Sequence, residues 1–169
     1  IVEEFALRGA ASTGFRAPSL HQVYFNNTST QFVPNADTGV LEPRQVLTVD
    51  NNSDVAQAFG LPPLDEETSV NVSGGITATP VDNFSITLDG YFIDIDNRVV
   101  LTSQFSETAV PGTAALLADI DPPVQAAQFF ANAVDTRTWG TDLVIDFWSD
   151  LAGGRLGLTG AANFTRTRV

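Results

Sequence analysis

The chain contains no cysteine, no lysine and no methionine, and one histidine, in 169 residues. Without Cys there is no disulfide framework, no thiolate metal site and no Cys nucleophile. His21 has no second imidazole to join it in a zinc site. A Ser-His-Asp triad would depend on His21, and no nucleophile-elbow sequence accompanies it. Positive charge is equally scarce. Eight basic residues, all Arg, face 20 acidic ones, for a net charge of −12. A nucleic-acid partner requires a basic stripe, and docking on anionic lipid favours polybasic segments; neither is present. No apolar run approaches the roughly 18 residues of a membrane-spanning helix. A membrane barrel stays open, because its strands alternate and give a weak hydropathy signal. The opening "IVEEFALRG" has no initiator Met and no signal-peptide pattern, so a mature product or an excised piece is expected.

What is present alternates with period two. In "NFSITLDGYF", Phe84, Ile86, Leu88 and Phe92 oppose Ser85, Thr87 and Asp89. In "ETSVNVSGGITATP", Val70, Val72, Ile76 and Ala78 oppose Asn71, Ser73, Thr77 and Thr79. "GTDLVIDFWSD" and "GRLGLTGAANFT" repeat the pattern through Leu143, Ile145 and Phe147 and through Leu156, Leu158, Ala162 and Phe164. The first strand sets Phe5 and Leu7 against Arg8 and Ser12. Such alternation marks strands with one apolar and one polar face. The fold class is therefore all-β, an antiparallel sheet of about five or more strands.

The connections are of two kinds. "PVDN" (Pro80–Asn83) and "LAGG" (Leu151–Gly154) are tight turns between neighbouring antiparallel strands. The first and third strands are instead followed by stretches far longer than a compact domain normally tolerates without a purpose. Short turns at one end and long loops at the other form the pattern of an outer-membrane barrel. Within the long loops, "TQFVPN" and "RQVLTVDNN" can pair as a hairpin, and "SDVAQAFG" reads as a short helix capped by Ser53 and ended by Gly60. The Ala-rich stretch from Gly112 to Val134 is expected to hold two short helices broken at Pro122-Pro123.

Four segments in order resemble the barrel of TonB-dependent outer-membrane receptors: "STGFRAPSLHQVYF", "LPPLDEETSVNVSGGI", "NFSITLDGYFIDIDNRVVL" and "TRTWGTDLVIDF". The last carries Trp139 where the family often has a basic residue. The resemblance covers most of Val2 to Val169. It implies that residues 1–169 are part of a 22-stranded transmembrane barrel, without plug domain or closing C-terminal strand. It further implies a cell outer-membrane location, outer-membrane lipid, the plug of the same chain and the TonB system as partners, and import of a scarce nutrient such as a siderophore, cobalamin or a saccharide.

Site expectations follow from the resemblance. The odd-numbered residues of the first strand face lipid, while Arg8, Ser12 and Arg16 face the lumen or plug. There the arginines can pair with carboxylates of the plug or, on neighbouring strands, with Asp89 or Asp142, and Phe15 joins an interfacial aromatic girdle. Pro18 ends the first strand's ladder. Asp94, Asp96 and Arg98 read as strand-end ion pairs. Tyr24, Phe25, Phe32 and Trp139 are candidate loop contacts for the substrate. No catalytic residue, metal site or cofactor is assigned. The acidic runs "DNNSD", "LDEE" and "DIDN" offer oxygen ligands but not the calcium-loop spacing, and read as solvated strand ends. A soluble β-sandwich module, for adhesion or carbohydrate binding, is the alternative; its apolar faces would pack on each other. A sheet cut from a barrel exposes edges and an apolar face, so the fragment is expected to self-associate or to fold residues 113–134 over that face.

Overall fold

Alternation becomes strand wherever it was read. A computed structural model of the chain describes residues 4–35 and 38–169. Strand β1 (Phe5–Arg16) leads through helix α1 (Leu20–Tyr24) to β2 (Asn27–Pro34) and β3 (Leu41–Thr48). Helix α2 (Asp54–Ala58) precedes β4 (Glu67–Val81) and β5 (Phe84–Leu101). Helix α3 (Ala114–Ala118), β6 (Ala126–Gln128), β7 (Phe130–Leu151) and β8 (Gly154–Arg168) complete the order. One sheet has the order β1-β4-β5-β7-β8 and the other β2-β3-β6.

Two units share these elements. Residues 4–15, 68–96 and 135–169 form the first, which is the five-stranded sheet; residues 16–67 and 97–134 form the second. The boundary therefore runs through β5 and β7, and leaves Arg16 of β1 and Glu67 of β4 in the second unit.

In the first unit β4 and β5 pair antiparallel, with Val72 opposite Phe92, Ile76 opposite Leu88 and Ala78 opposite Ile86. β7 and β8 pair likewise, with Leu143 opposite Ala162 and Phe147 opposite Leu158. Directly opposite residues share a face, so the apolar residues of each strand coincide on one side. Their turns are the short ones read from sequence. Gly153 takes a φ of 95° in the β7–β8 turn, a conformation that glycine adopts freely. Asn83, in the β4–β5 turn, donates through its side chain to the Trp148 carbonyl at 3.0 Å, and its own carbonyl accepts the Trp148 N–H at 3.0 Å. That exchange ties one turn to β7.

The apolar face of this sheet stays open. Leu7 is 73% exposed, Phe15 79% and Leu158 57%. No buried hydrophobic side chain among the described residues belongs to this unit. A sandwich would cover that face with a second sheet; here it is uncovered.

The second unit has a core of its own. Leu47, Val49, Ala56, Leu117, Val124, Ala127 and Phe129 are buried together, with Val55, Phe59, Leu61, Phe105 and Ile120 packed against them. Phe129 is fully buried, its ring 5.3 Å from that of Phe59 and 5.7 Å from that of Phe105. β2 and β3 form the expected hairpin, from Asn27 opposite Thr48 to Pro34 opposite Leu41. α2 is capped by Ser53, whose hydroxyl accepts the Ala56 N–H, and Gly60 follows with a φ of 75°.

The Ala-rich stretch departs from expectation. Its first half is helix α3, but its second half is strand. Ala126 to Gln128 run parallel to Val46 to Thr48, and Phe130 already begins β7. The cause is visible in "AAQF": Ala127 and Phe129 both enter the core, which is period two and not 3.6. The segment packs into the core of the second unit. A further addition is α1, where Ser19 and Gln22 form a reciprocal capping box directly after Pro18.

Phe129→Ala is expected to destabilise the second unit by about 3–5 kcal/mol, the range for an aromatic removed from a closed core. Amide hydrogen exchange resolved by residue should show lost protection around Val46 to Val49, with the β7–β8 ladder of the first unit unchanged.

Candidate functional site

The polar face of the five-stranded sheet is a row of side chains that bond to each other across strands. Arg8 on β1 holds both carboxylate oxygens of Asp89 on β5, its Nε at 2.7 Å from Oδ1 and its Nη2 on Oδ2. Between them lies β4, and Arg8 crosses it at Gly75, the residue paired with Asp89. A methyl group at Gly75 would collide with the Asp89 carboxylate and lie 3.0 Å from Arg8 Nε. The same device recurs two strands along. Tyr91 on β5 crosses β7 at Gly140, where a methyl would sit 2.5 Å from the phenol oxygen, and meets Thr165 on β8 at 2.6 Å. Thr165 is the residue paired with Gly140. In both cases glycine opens the gap that lets a long side chain span three strands.

Further along this face, Asp142 accepts from the Asn163 amide and Asp146 accepts from the Thr159 hydroxyl at 2.6 Å. Arg8, Asp89 and Asp142 therefore share one face, as read from sequence. Arg8 takes Asp89, whereas Asp142 takes a neutral donor.

Arg16 pairs with neither named carboxylate. Its partner is Glu67, at the start of β4, the last residue of the "LDEE" run read from sequence as a solvated strand end; it is instead buried. Glu67 is 8% exposed and also accepts the backbone N–H of Val99 at 2.8 Å. A buried carboxylate at this point thus satisfies one guanidinium and one backbone donor. The available signal was "EETS", an acidic residue placed just before an alternating run. Asp94 pairs with Arg137 on β7, with Arg137 Nη2 at 2.9 Å from Oδ2, so that strand-end carboxylate does form an ion pair.

The aromatic candidates separate. Tyr24 ends α1 and is exposed. Phe25 lies 4.7 Å from the His21 ring and 6.5 Å from Phe130, so it packs within the second unit. Phe32 is exposed on β2, opposite Pro43. Trp139 is not in a loop: it lies inside β7, on the apolar face, with its ring 5.5 Å from Phe164. The alternation of "RTWGTDL" continues the strand upstream of Asp142, and that was the signal for it.

The second unit contains an open cavity of about 640 Å³. Val33, Pro34, Pro43, Leu117, Pro123 and Val124 give it apolar walls, and Arg44, Glu42, Glu107 and Gln125 bring polar groups. None of the four aromatic candidates lines it. Glu107 is held below the ordinary carboxylate range by the backbone N–H groups of Gly112 and Ala114, which it accepts at 3.0 and 2.8 Å. It closes the N-terminal turn of α3, where Thr113 makes no side-chain cap. Among the described residues no three Asp, Glu, His or Cys side chains converge as a metal site would require.

Glu67→Ala should cost about 1–3 kcal/mol, because it strands the buried Val99 N–H. Arg16→Ala, which leaves that bond in place, should cost less; equal losses in chemical denaturation would contradict the role given to Glu67. Gly75→Ala should disturb the sheet more in the native background than in an Asp89→Ala background, where the obstructing carboxylate is gone. A double-mutant cycle measures that difference.

No curated protein matches the chain. The family described as TonB dependent receptor-like, beta-barrel matches it across residues 1–169. An open sheet with one apolar and one cross-bonded polar face, long excursions between its strands and this match over its whole length show that the chain belongs to the TonB-dependent receptor β-barrel family.

Proposed function

We propose that the chain is part of the barrel wall of an outer-membrane receptor that takes up a scarce nutrient, such as a siderophore, cobalamin or a saccharide. The family is one of outer-membrane transporters rather than enzymes. The observation that carries the reading is the exposed apolar face of the five-stranded sheet, from Leu7 and Phe15 on β1 to Leu158 and Phe164 on β8. An apolar sheet face without a protein core suits lipid. The opposite face bonds side chain to side chain, as suits a water-filled or plug-filled lumen.

In this reading Arg8, Asp89, Asp142 and Arg16 line the inner side or its rim, where a plug domain of the parent receptor packs. The sheet has free edges at β1 and β8, which further strands of a larger barrel would pair. The short turns face the periplasm, and the long connections at the other ends of the strands belong to the second unit. Its 640 Å³ cavity, within the size range of small-molecule sites, offers apolar walls with Arg44 as the polar anchor. Tyr24 and Phe32, exposed in the same unit, are available to stack on a ligand. Energy for transport comes through the TonB system, which acts on the plug of the full receptor.

Spin labels placed singly along β4 in the full-length receptor in lipid bilayers test this reading. Labels at 70, 72 and 76 should be reached by oxygen, which partitions into lipid. Labels at 71, 73 and 77 should be reached by a water-soluble paramagnetic complex. Uniform aqueous access at both sets would sink the membrane reading and return the soluble sandwich.

A further inference from the structure

Every residue that lines the 640 Å³ cavity comes from the β2–β3 hairpin or from residues 106–125, so the cavity lies wholly within the second unit. Its apolar wall is aliphatic: Val33, Pro34 and Pro43 from the hairpin, Leu117, Pro123 and Val124 from the later stretch. No aromatic ring lines it. Its polar groups are not equivalent. Glu107 is committed to the chain around α3, where its carboxylate accepts the N–H groups of Gly112 and Ala114 at 3.0 and 2.8 Å. Glu42 is exposed and accepts from the Asn35 amide at 3.0 Å. Arg44 stands two residues from Glu42 on the same face of β3, yet the two do not pair. Arg44 is half-buried and has no hydrogen bond or ion pair among the described residues. Gln125 adds a second unused donor. Its Oε1 accepts the Gln45 N–H at 2.6 Å, in the peptide group directly after Arg44. A backbone N–H can meet only the oxygen of that amide, so the Gln125 NH₂ group is left over. It has no acceptor among the described residues.

We infer that this cavity takes a small aliphatic carboxylate, with its apolar body on the Val, Leu and Pro wall and its two oxygens on the Arg44 guanidinium and the Gln125 amide. The inference rests on the reading of this cavity as a ligand site of the receptor, and it narrows that ligand to one chemical class. Three observations carry it. First, the unused polar groups are donors that lie close together. A half-buried guanidinium has given up part of its hydration, and a carboxylate matches its fork with two oxygens. Strand β3 lies between β2 and β6, so Arg44 is not on a sheet edge. Second, the wall favours burial of CH₂ groups and offers no ring on which a sugar could stack. Third, the charges that line the cavity set a limit. Arg44 balances one negative group, and a second would lie against Glu42 or Glu107. A single carboxylate is therefore favoured over a phosphate or a polyacid.

The test uses the full-length receptor in nanodiscs and isothermal titration with three compounds of one shape: cyclohexylacetate, 2-cyclohexylethanol and 2-cyclohexylethylammonium. The native receptor should bind the acid more tightly than the alcohol by on the order of tenfold or more, and the ammonium compound least. Arg44→Gln should lower the acid to the level of the alcohol. The alcohol's own affinity should not change, which also reports that the cavity is still folded. Ala118→Trp, which fills the cavity from an exposed position on α3, should weaken acid and alcohol together. Equal binding of acid and alcohol by the native receptor overturns the carboxylate assignment without recourse to any variant. So does a preference for the ammonium compound, or an acid preference that survives Arg44→Gln. In those cases a loss of binding in Ala118→Trp still leaves the cavity as the ligand site. If the compounds bind and Ala118→Trp weakens neither acid nor alcohol, the cavity reading itself fails and the inference falls with it. Absence of acid binding to the native receptor also overturns the inference.

Discussion

Hydrogen bonding across strands carries the weight in the five-stranded sheet, because its apolar side chains pack on no core of their own. Backbone ladders hold neighbours together, but a ladder alone is open to slippage by residues of similar character. The Gly75 and Gly140 crossings prevent this. Arg8 reaches Asp89 only if β1, β4 and β5 are all in register, since the carboxylate sits on the cross-strand partner of the glycine being crossed. Tyr91 and Thr165 impose the same condition on β5, β7 and β8. Strand β5 takes part in both, so two three-strand locks share one strand and fix all five. A side chain at either glycine would remove the gap and with it the lock.

The same chain answers the hydrophobic effect in a second way. In the second unit, Phe129 and its neighbours are closed off from solvent as in any small globular domain. β5 and β7 run through both environments, and the change is marked on β5. Asn97 takes a φ of 58°, which asparagine tolerates better than most residues. Its carbonyl accepts from the Asn132 side chain at 2.6 Å. Two residues on, Val99 is buried, whereas Leu88 and Phe92 earlier on the strand are exposed. The left-handed residue sits at the boundary between an apolar side chain left open and an apolar side chain enclosed.

This division explains which features were legible in the sequence. Alternation is local, so the strands of the sheet, their faces and their tight turns could be read from residues such as Phe84, Ile86 and Leu88. Glu67 was read as solvated because its burial depends on a partner 51 residues away and on a backbone donor on another strand. The β6 strand was missed because "QAAQFF" has high helix propensity. Its true conformation is set by Val46 and Thr48, which the local sequence does not reveal. Trp139 was misplaced for a related reason: the boundary between loop and strand depends on how far β5 extends beside β7. The resemblance to the receptor family supplied the architecture but not these particular contacts.

The absence of lysine follows from what the basic residues do here. Arg8 uses two nitrogens on two oxygens of one carboxylate. Arg137 directs both Nε and Nη2 at Asp94. Arg155 lays its guanidinium 4.0 Å over the Trp148 ring while its Nε meets Asp150. Each arrangement needs a planar, forked cation; an ammonium group is a point charge that cannot bond in two fixed directions or stack on an indole in the same way. Lysine would keep the charge and lose the geometry. In a sheet whose register is held by side chains that span three strands, the geometry of the cation matters more than its charge.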